Sequence, residues 1–269
     1  MRSGCQTAAI IGAGIAGIAT AYYLSREQKI GRISLIDTGQ PMAFTSAQSG
    51  ENYRNWWPHP TMTAFTDLSI DLMEDLAREC GNRFALTRRG YALATRRVEI
   101  GDVIETLFSG YSSDPDGLIR VHDTSGGKSY RPPTSAEWEG APDGVDVIMS
   151  TDLIRKTFPN FSDDIRAVVH IRRAGDISGQ QLGQYMLDQT RDQGLERVRG
   201  TVCGLECSNG FCIHVDDGGE RRTVETDIVV NAAGPLVNEV GSMLDYTLPV
   251  RNVLEFVSGL VDVAQTSIL

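Results

Sequence analysis

The 269-residue sequence predicts an α/β protein in which a Rossmann-like dinucleotide-binding domain is interrupted by an antiparallel-sheet domain. Three observations carry the prediction. IIGAGIAG, residues 10–17, is a glycine-rich turn with an apolar run before it and helical spacing after it. Beyond residue 80, short strand-like segments separated by turn residues replace the helix–strand alternation. That alternation resumes only past Ser178.

Ala8–Ile11 reads as a buried parallel strand stopped by glycine. Ile15, Ile18, Ala19, Tyr22 and Tyr23 then recur at helical spacing, and Ile33–Ile36 is a second apolar run ending at Asp37. Each glycine of GxGxxG has a reason. Gly12 permits the tight turn, Gly14 removes a side chain where a pyrophosphate approaches the helix N-terminus, and Gly17 lets helix and strand pack closely. Asp37 stands where a ribose hydroxyl is bound, and an acid there favours an unphosphorylated ribose over NADP.

A long polar loop, TGQPMAFTSAQSGENYRNWWPHP, follows, and then an amphipathic helix over Thr61–Cys80 with Phe65, Leu68, Leu72, Leu76 and Cys80 on one face. Ala85–Thr87 and Tyr91–Thr95 flank Arg88-Arg89-Gly90 as a tight antiparallel hairpin. Residues 111–145, rich in Gly, Pro, Ser and Asp, read as an irregular surface insertion. Ser150–Phe158 is a short capped helix closed by Pro159, and Ala167–Ile171 a strand. Ser178 caps a helix to about Gln193. Strands follow at Val198–Leu205, Phe211–Val215 and Arg222–Val224, with Asp216-Asp217-Gly218-Gly219 turning between the last two. Asp227–Gly234 is a buried strand running into small residues, then a helix to Leu244.

Composition narrows the function classes. A net charge of −10 argues against a nucleic-acid partner. No apolar run approaches the roughly 20 residues of a membrane span, and the N-terminus lacks a signal-peptide pattern. Five cysteines form no CxxC pair. Cys203, Cys207 and Cys212 read as small buried strand residues rather than a metal site, and a cytoplasmic, reducing compartment is the default. No paired-carboxylate or Ser/His/Asp constellation points to hydrolysis.

Four stretches together resemble the FAD-dependent D-amino-acid oxidase, glycine oxidase and sarcosine oxidase (DAO) superfamily. They are IIGAGIAGIATAYYL with Asp37, TSAQSGENYR, TRRGYALATR, and GDISGQQLGQYMLDQTRDQG…RGTVCGLE…DIVVNAAGP. The resemblance implies an FAD-binding domain over residues 1–82 and 174–246, and a substrate domain over 83–173 and 247–269, the latter incomplete. A split nucleotide domain suits a larger cofactor, one domain holding the adenosine end and the other covering the reactive ring.

By position, Gly12, Ala13, Gly14, Ile15, Ala16 and Gly17 would wrap the pyrophosphate and Asp37 the ribose. Thr45, Ser46, Ser49 and Gly50 would lie along the pyrophosphate-to-flavin stretch, and Val202 would offer backbone groups to adenine. Ala232, Ala233 and Gly234 would form a small-residue turn close to the cofactor. Arg54 is the candidate for a substrate carboxylate or flavin contact, and His59 for proton transfer. Trp56 and Trp57 either wall a pocket or pack. The implied reaction is oxidation of the C–N bond of an amino acid or secondary amine by hydride transfer to flavin N5. The family continues well past Asn-Ala-Ala-Gly, whereas here LPVRNVLEFV resembles one further strand and then the sequence stops. The alternative expectation is therefore a catalytically incomplete FAD-binding fragment or splice product.

Overall fold

The computed structural model describes residues 5–114, 117–123, 130–133 and 137–253. Residues 1–50 and 183–269 form one compact unit and residues 51–182 a second. The first unit opens with β1 (Gln6–Ile11), α1 (Ile15–Ser25), β2 (Ile30–Asp37) and a 3-10 turn at Thr45–Gln48. The second supplies β3 (Asn52–Arg54), α2 (Pro60–Cys80), β4 (Tyr91–Thr95), α3 (Gly101–Gly110), β5 (Ile119–His122), β6 (Val145–Ile148), α4 (Thr151–Thr157), β7 (Ala167–Ile171) and β8 (Ala174–Asp176). Helix α5 (Gly179–Arg191) carries the chain back. There follow β9 (Leu195–Arg199), β10 (Thr201–Cys207), β11 (Phe211–Asp217), β12 (Glu220–Thr226), β13 (Ile228–Asn231) and α6 (Val237–Ser242).

In the first unit four parallel strands run in the order β13-β1-β2-β9, with Ile10 opposite Leu35 and Val230. The apolar runs read from the sequence are the buried strands, as fits a parallel sheet covered on both faces. The strand expected over Val198–Leu205 is two strands. Gly200, at φ +143°, ends β9 and starts β10, which pairs in a separate antiparallel sheet β10-β11-β12. A Cβ at Gly200 would stand 2.6 Å from the Val215 side chain, so the break needs glycine. Gly218 and Gly219, both at positive φ, make the two-residue turn between β11 and β12. Cys203 is the extra residue of a bulge in β10; it and Cys207 are exposed and Cys212 half-buried, which corrects the expected burial.

In the second unit the sheet runs β4-β7-β6-β5, antiparallel except that β5 and β6 are parallel, so the domain is mixed rather than purely antiparallel. β5 lies inside the stretch read as irregular; the Asp114 carboxylate accepts the N–H groups of Leu118 and Ile119 and starts the strand. The expected hairpin around Arg88-Arg89-Gly90 does not form. Residues 84–90 instead run along β8, Thr87 N–H to Asp176 O and Gly90 N–H to Ala174 O both at 2.9 Å, and β4 pairs with β7. Gly90 is required because a Cβ there would fall 2.0 Å from His170 Nε2.

Two-residue alternation divides the sheet faces. Val145, Val147, Val169 and Ile171 pack with Trp56, Ile100 and Leu107, burying one face of α3, a helix the sequence reading missed. Ile148 and Val168 on the other face meet Ile154 of α4, whose expected cap is present: Ser150 Oγ accepts Leu153 N–H at 3.4 Å. Beside them lies a buried charged cluster. Asp146 accepts from Arg120 at 2.7 Å and Arg172 at 2.8 Å and pairs with His122 at 2.8 Å. Burial opposes its ionisation, but these partners outweigh it and hold its pKa at about 2. His170, bonded to the Tyr130 hydroxyl at 2.8 Å, is pushed down to about 4 by burial and then by the Arg172 charge.

Helix α2 forms as expected, but only part of the expected face is buried. Leu76 is buried as expected, whereas Phe65 and Leu68 are 63% and 59% exposed and Thr63, Ile70, Glu74 and Ala77 are buried instead. Ion pairs accompany this burial: Glu74 meets buried Arg88 at 2.8 Å, and Asp67 and Asp71 meet Arg173. Residues 247–253 carry no strand; Asn238 of α6 holds this segment through Leu248 N–H and C=O. The remainder of LPVRNVLEFV lies outside the described residues.

Candidate functional site

The candidate nucleotide site of the first unit is a cradle made mostly of backbone. Gly12, at φ +108°, turns the chain off β1, and a Cβ there would sit 2.3 Å from Ala232 O at the end of β13. A Cβ at Gly17 would lie 1.9 Å from Gly12 O, so helix and strand touch only because residue 17 is glycine. Gly14 is the N-cap of α1 and has no side chain to cap with; Ser46 Oγ, from the 3-10 turn, accepts Ile15 N–H at 3.0 Å instead. The N–H groups of Ala16 and Gly17 have no intrahelical acceptor, as at any helix start. They form a donor set at the positive end of a helix, beside the point where strand order reverses between β1 and β13.

Asp37 ends β2, its carboxylate accepting Ala13 N–H at 2.7 Å and Gly39 N–H at 2.8 Å. It lines a cavity of about 240 Å³ with Ala13, Leu35, Gly39, Val198 and Arg199. Thr45, Ser49 and Gly50 are exposed on the same segment as Ser46. Val202 is half-buried at the start of β10, opposite Val215. Ala232 N–H donates to Ile11 O at 2.8 Å, Ala233 N–H to the Asn231 side chain, and Gly234 follows at φ +57° with nothing within 4 Å of a Cβ. This is the open small-residue turn that the sequence indicated. A pyrophosphate-bearing cofactor fits: the close contacts exclude side chains at Gly12 and Gly17, and free helix N–H groups face the turn.

In the second unit Arg54 lies on β3 opposite Ala174 of β8. Its guanidinium carbon is 4.5 Å from the Trp57 ring centroid and 5.4 Å from that of Tyr91. It has no carboxylate partner among the described residues, and its Nε is buried with no hydrogen bond. Trp56 points into the apolar core, so of the two tryptophans only Trp57 offers an exposed ring. His59 is exposed, and its Nδ1 accepts Thr61 N–H at 3.2 Å as the N-cap of α2. Asp67 ties the segment down by accepting from both Asn55 (3.0 Å) and Arg173 (2.9 Å).

The sequence reading missed Tyr91 and this acid–arginine network. The spacing of Asp67, Asp71 and Glu74 on one helix face, with Arg172-Arg173 downstream, was the available signal. Among the described residues no group of three or more His, Cys, Asp or Glu is placed to hold a metal, and no helix is long and apolar enough to cross a membrane.

The model of the DAO family, described as FAD dependent oxidoreductase, matches residues 7–261. This chain belongs to that family. The DAO chain shares its fold with solved structures of low identity. L-proline dehydrogenase from P. horikoshii aligns at TM-score 0.69 and 15% identity, over 91% of this chain and 57% of that one. Glycine oxidase from Geobacillus kaustophilus gives 0.66 and 16%, over 90% and 60%. Iminodiacetate oxidase from Chelativorans sp. BNC1 gives 0.65 and 19%, over 91% and 59%. The DAO chain thus spans under two thirds of the length of each. No curated protein sequence matches it.

Proposed function

We propose that this DAO chain contributes the FAD-binding part, and a share of the substrate-binding part, of an oxidoreductase that oxidises the C–N bond of an amino acid or secondary amine. Residues 1–50 and 183–269 are assigned the adenosine and pyrophosphate end of FAD, and residues 51–182 the substrate side. The observation that carries the substrate reading is Arg54, a half-buried cation with no acid to neutralise it among the described residues. Three relatives of the same fold are named for amino or imino acids, which agrees with a carboxylate ligand.

FAD, when bound, supplies a two-electron acceptor at N5 for the amine carbon. The chain's residues do the rest. The N–H groups of Ala16 and Gly17 would hold the pyrophosphate, with Ile15 N–H already set by Ser46. Asp37 would keep lone pairs for a ribose hydroxyl, while its bond from Ala13 N–H fixes the Gly12–Gly14 turn and its bond from Gly39 N–H the end of β2. Arg54 would hold the substrate carboxylate, orienting the amine carbon, while the ring of Trp57 shields that ion pair from water. His59, engaged as a helix cap, is left with an orienting rather than an acid–base part.

Gly14→Trp tests the assignment. A Cβ there meets only the Ser46 hydroxyl, at 3.2 Å, so the indole fills the pyrophosphate position without displacing the backbone. Flavin released on denaturation and measured by absorbance is expected to vanish in the variant while secondary structure is retained. Equal flavin content in variant and parent would overturn the cofactor site.

A further inference from the structure

We propose that Trp57 and Tyr91 are positioning residues: the Arg54 guanidinium lies over their ring faces, which hold it in place and so keep its charge available to a ligand carboxylate. The inference rests on the reading that Arg54 receives such a carboxylate. It starts from a contrast among the arginines of the second unit. Arg88 is paired with Glu74 at 2.8 Å, Arg172 with Asp146 at 2.8 Å and Arg173 with Asp67 at 2.9 Å. Each of these charges is spent inside the protein. Arg54 is half-buried, with its Nε out of water, yet aromatic rings stand where an acid would be expected.

The chemistry of the two arrangements differs. A carboxylate takes the in-plane N–H edges of a guanidinium and neutralises it. An aromatic face attracts the cation through its quadrupole, offsets part of the lost hydration and leaves the charge in place. The backbone that carries each ring is fixed, for Trp57 by bonds of its own main chain. Trp57 N–H donates to Thr63 Oγ1 at 3.2 Å, and the same hydroxyl donates to Trp57 O at 3.0 Å. Gly110 passes so close that a Cβ there would fall 2.2 Å from Trp57 O. Tyr91 is the first residue of β4, in register with Ile171 of β7. The Arg54 backbone is set by its pairing with Ala174, and the next residue donates Asn55 N–H to Arg173 O at 2.9 Å. With Nε buried, the terminal Nη groups are the ones a carboxylate would meet.

The test uses the full 269-residue chain labelled with 15N-arginine and titrated with acetate. The arginine Nε–H resonances are followed by NMR, and circular dichroism controls for folding. The parent is expected to show one saturable shift, which Arg54→Gln removes. Trp57→Leu and Tyr91→Leu are each expected to weaken acetate about tenfold, whereas Trp57→Phe and Tyr91→Phe stay within about twofold, because a benzene ring still presents a face. A parent without a saturable shift, or an Arg54→Gln variant that binds like the parent, overturns the carboxylate reading itself. Loss in Arg54→Gln with undiminished binding in folded Trp57→Leu and Tyr91→Leu overturns the clamp and leaves that reading standing.

Discussion

The glycine-rich turn and the Arg54 segment, each proposed to hold an anionic ligand group, are built from opposite materials. The cradle uses backbone: glycines at 12 and 17 that nothing larger can replace, free helix N–H groups, and a single carboxylate, Asp37. The Arg54 segment uses side chains, two rings around one guanidinium, with a network of acids and arginines fixing the strands beneath. Backbone donors bring no charge that must be desolvated. Buried guanidinium groups do, and each must be matched by an acid or a π face. The cradle should therefore fail through sterics, and the second unit through charge.

Gly17→Val is the most severe way to break the first half of the comparison. The new Cβ would overlap Gly12 O, so α1 must leave β1, at a cost of at least about 3 kcal/mol. Flavin content and the thermal transition should be lost together, unlike the Gly14→Trp variant; a folded Gly17→Val protein that retains flavin would contradict the account.

Asp146→Asn breaks the second half. It removes the acid facing Arg120 and Arg172, and stranding buried charges costs about 3–5 kcal/mol. Urea unfolding should report that loss while flavin binding is measured separately, and a loss under 1 kcal/mol would show the cluster to be dispensable.

Asp37→Ala sharpens the contrast, because it removes the one charge in the cradle. FAD affinity should fall by about 1–3 kcal/mol, the scale of a charged hydrogen bond, partly through the freed Ala13 and Gly39 N–H groups. Apoprotein titration with unchanged affinity would remove Asp37 from the site.

The gentlest probe is pH. His170 has its folded pKa lowered from 6.5 to about 4, so the unfolded chain binds the proton first. Its contribution is intact above pH 6.5 and is lost as pH falls from 6.5 towards 4, amounting to about 2 kcal/mol at pH 5. Asp146, held near 2, adds a loss only below its ordinary 3.8. Unfolding free energies at pH 7 and pH 5 should differ by that amount more in the parent than in His170→Gln; equal differences would exclude His170 as the group responsible.

The cradle was legible in the sequence because its determinants are local. Gly12, Gly14 and Gly17 sit within one turn and helix start, Asp37 ends the next strand, and the small residues at 232–234 end another. Steric exclusion at a glycine depends on chain neighbours and one adjacent strand, and that information survives in spacing. The capped helices α4 and α5 were readable for the same reason.

Where burial is decided by charge, the same periodicity misled. Phe65, Leu68 and Leu72 are the exposed part of the apolar stripe of α2, yet Glu74 is buried with Ile70, Leu76 and Ala77, because Arg88 and Arg173 arrive from elsewhere in the chain to pair with it. Arg88-Arg89-Gly90 carried a turn signal, but Gly90 is there for the ring of His170, which is 80 positions away. A parallel β5 within a turn-rich stretch, and Tyr91 beside Arg54, were likewise invisible. The sequence by itself determined the glycine turn with its flanking strands and helix, since a backbone turn of this kind is written in consecutive residues. Only the tertiary structure decided which buried arginines meet an acid and that Arg54 meets two rings instead, because a Coulomb partner is chosen by distance in space and not by separation along the chain.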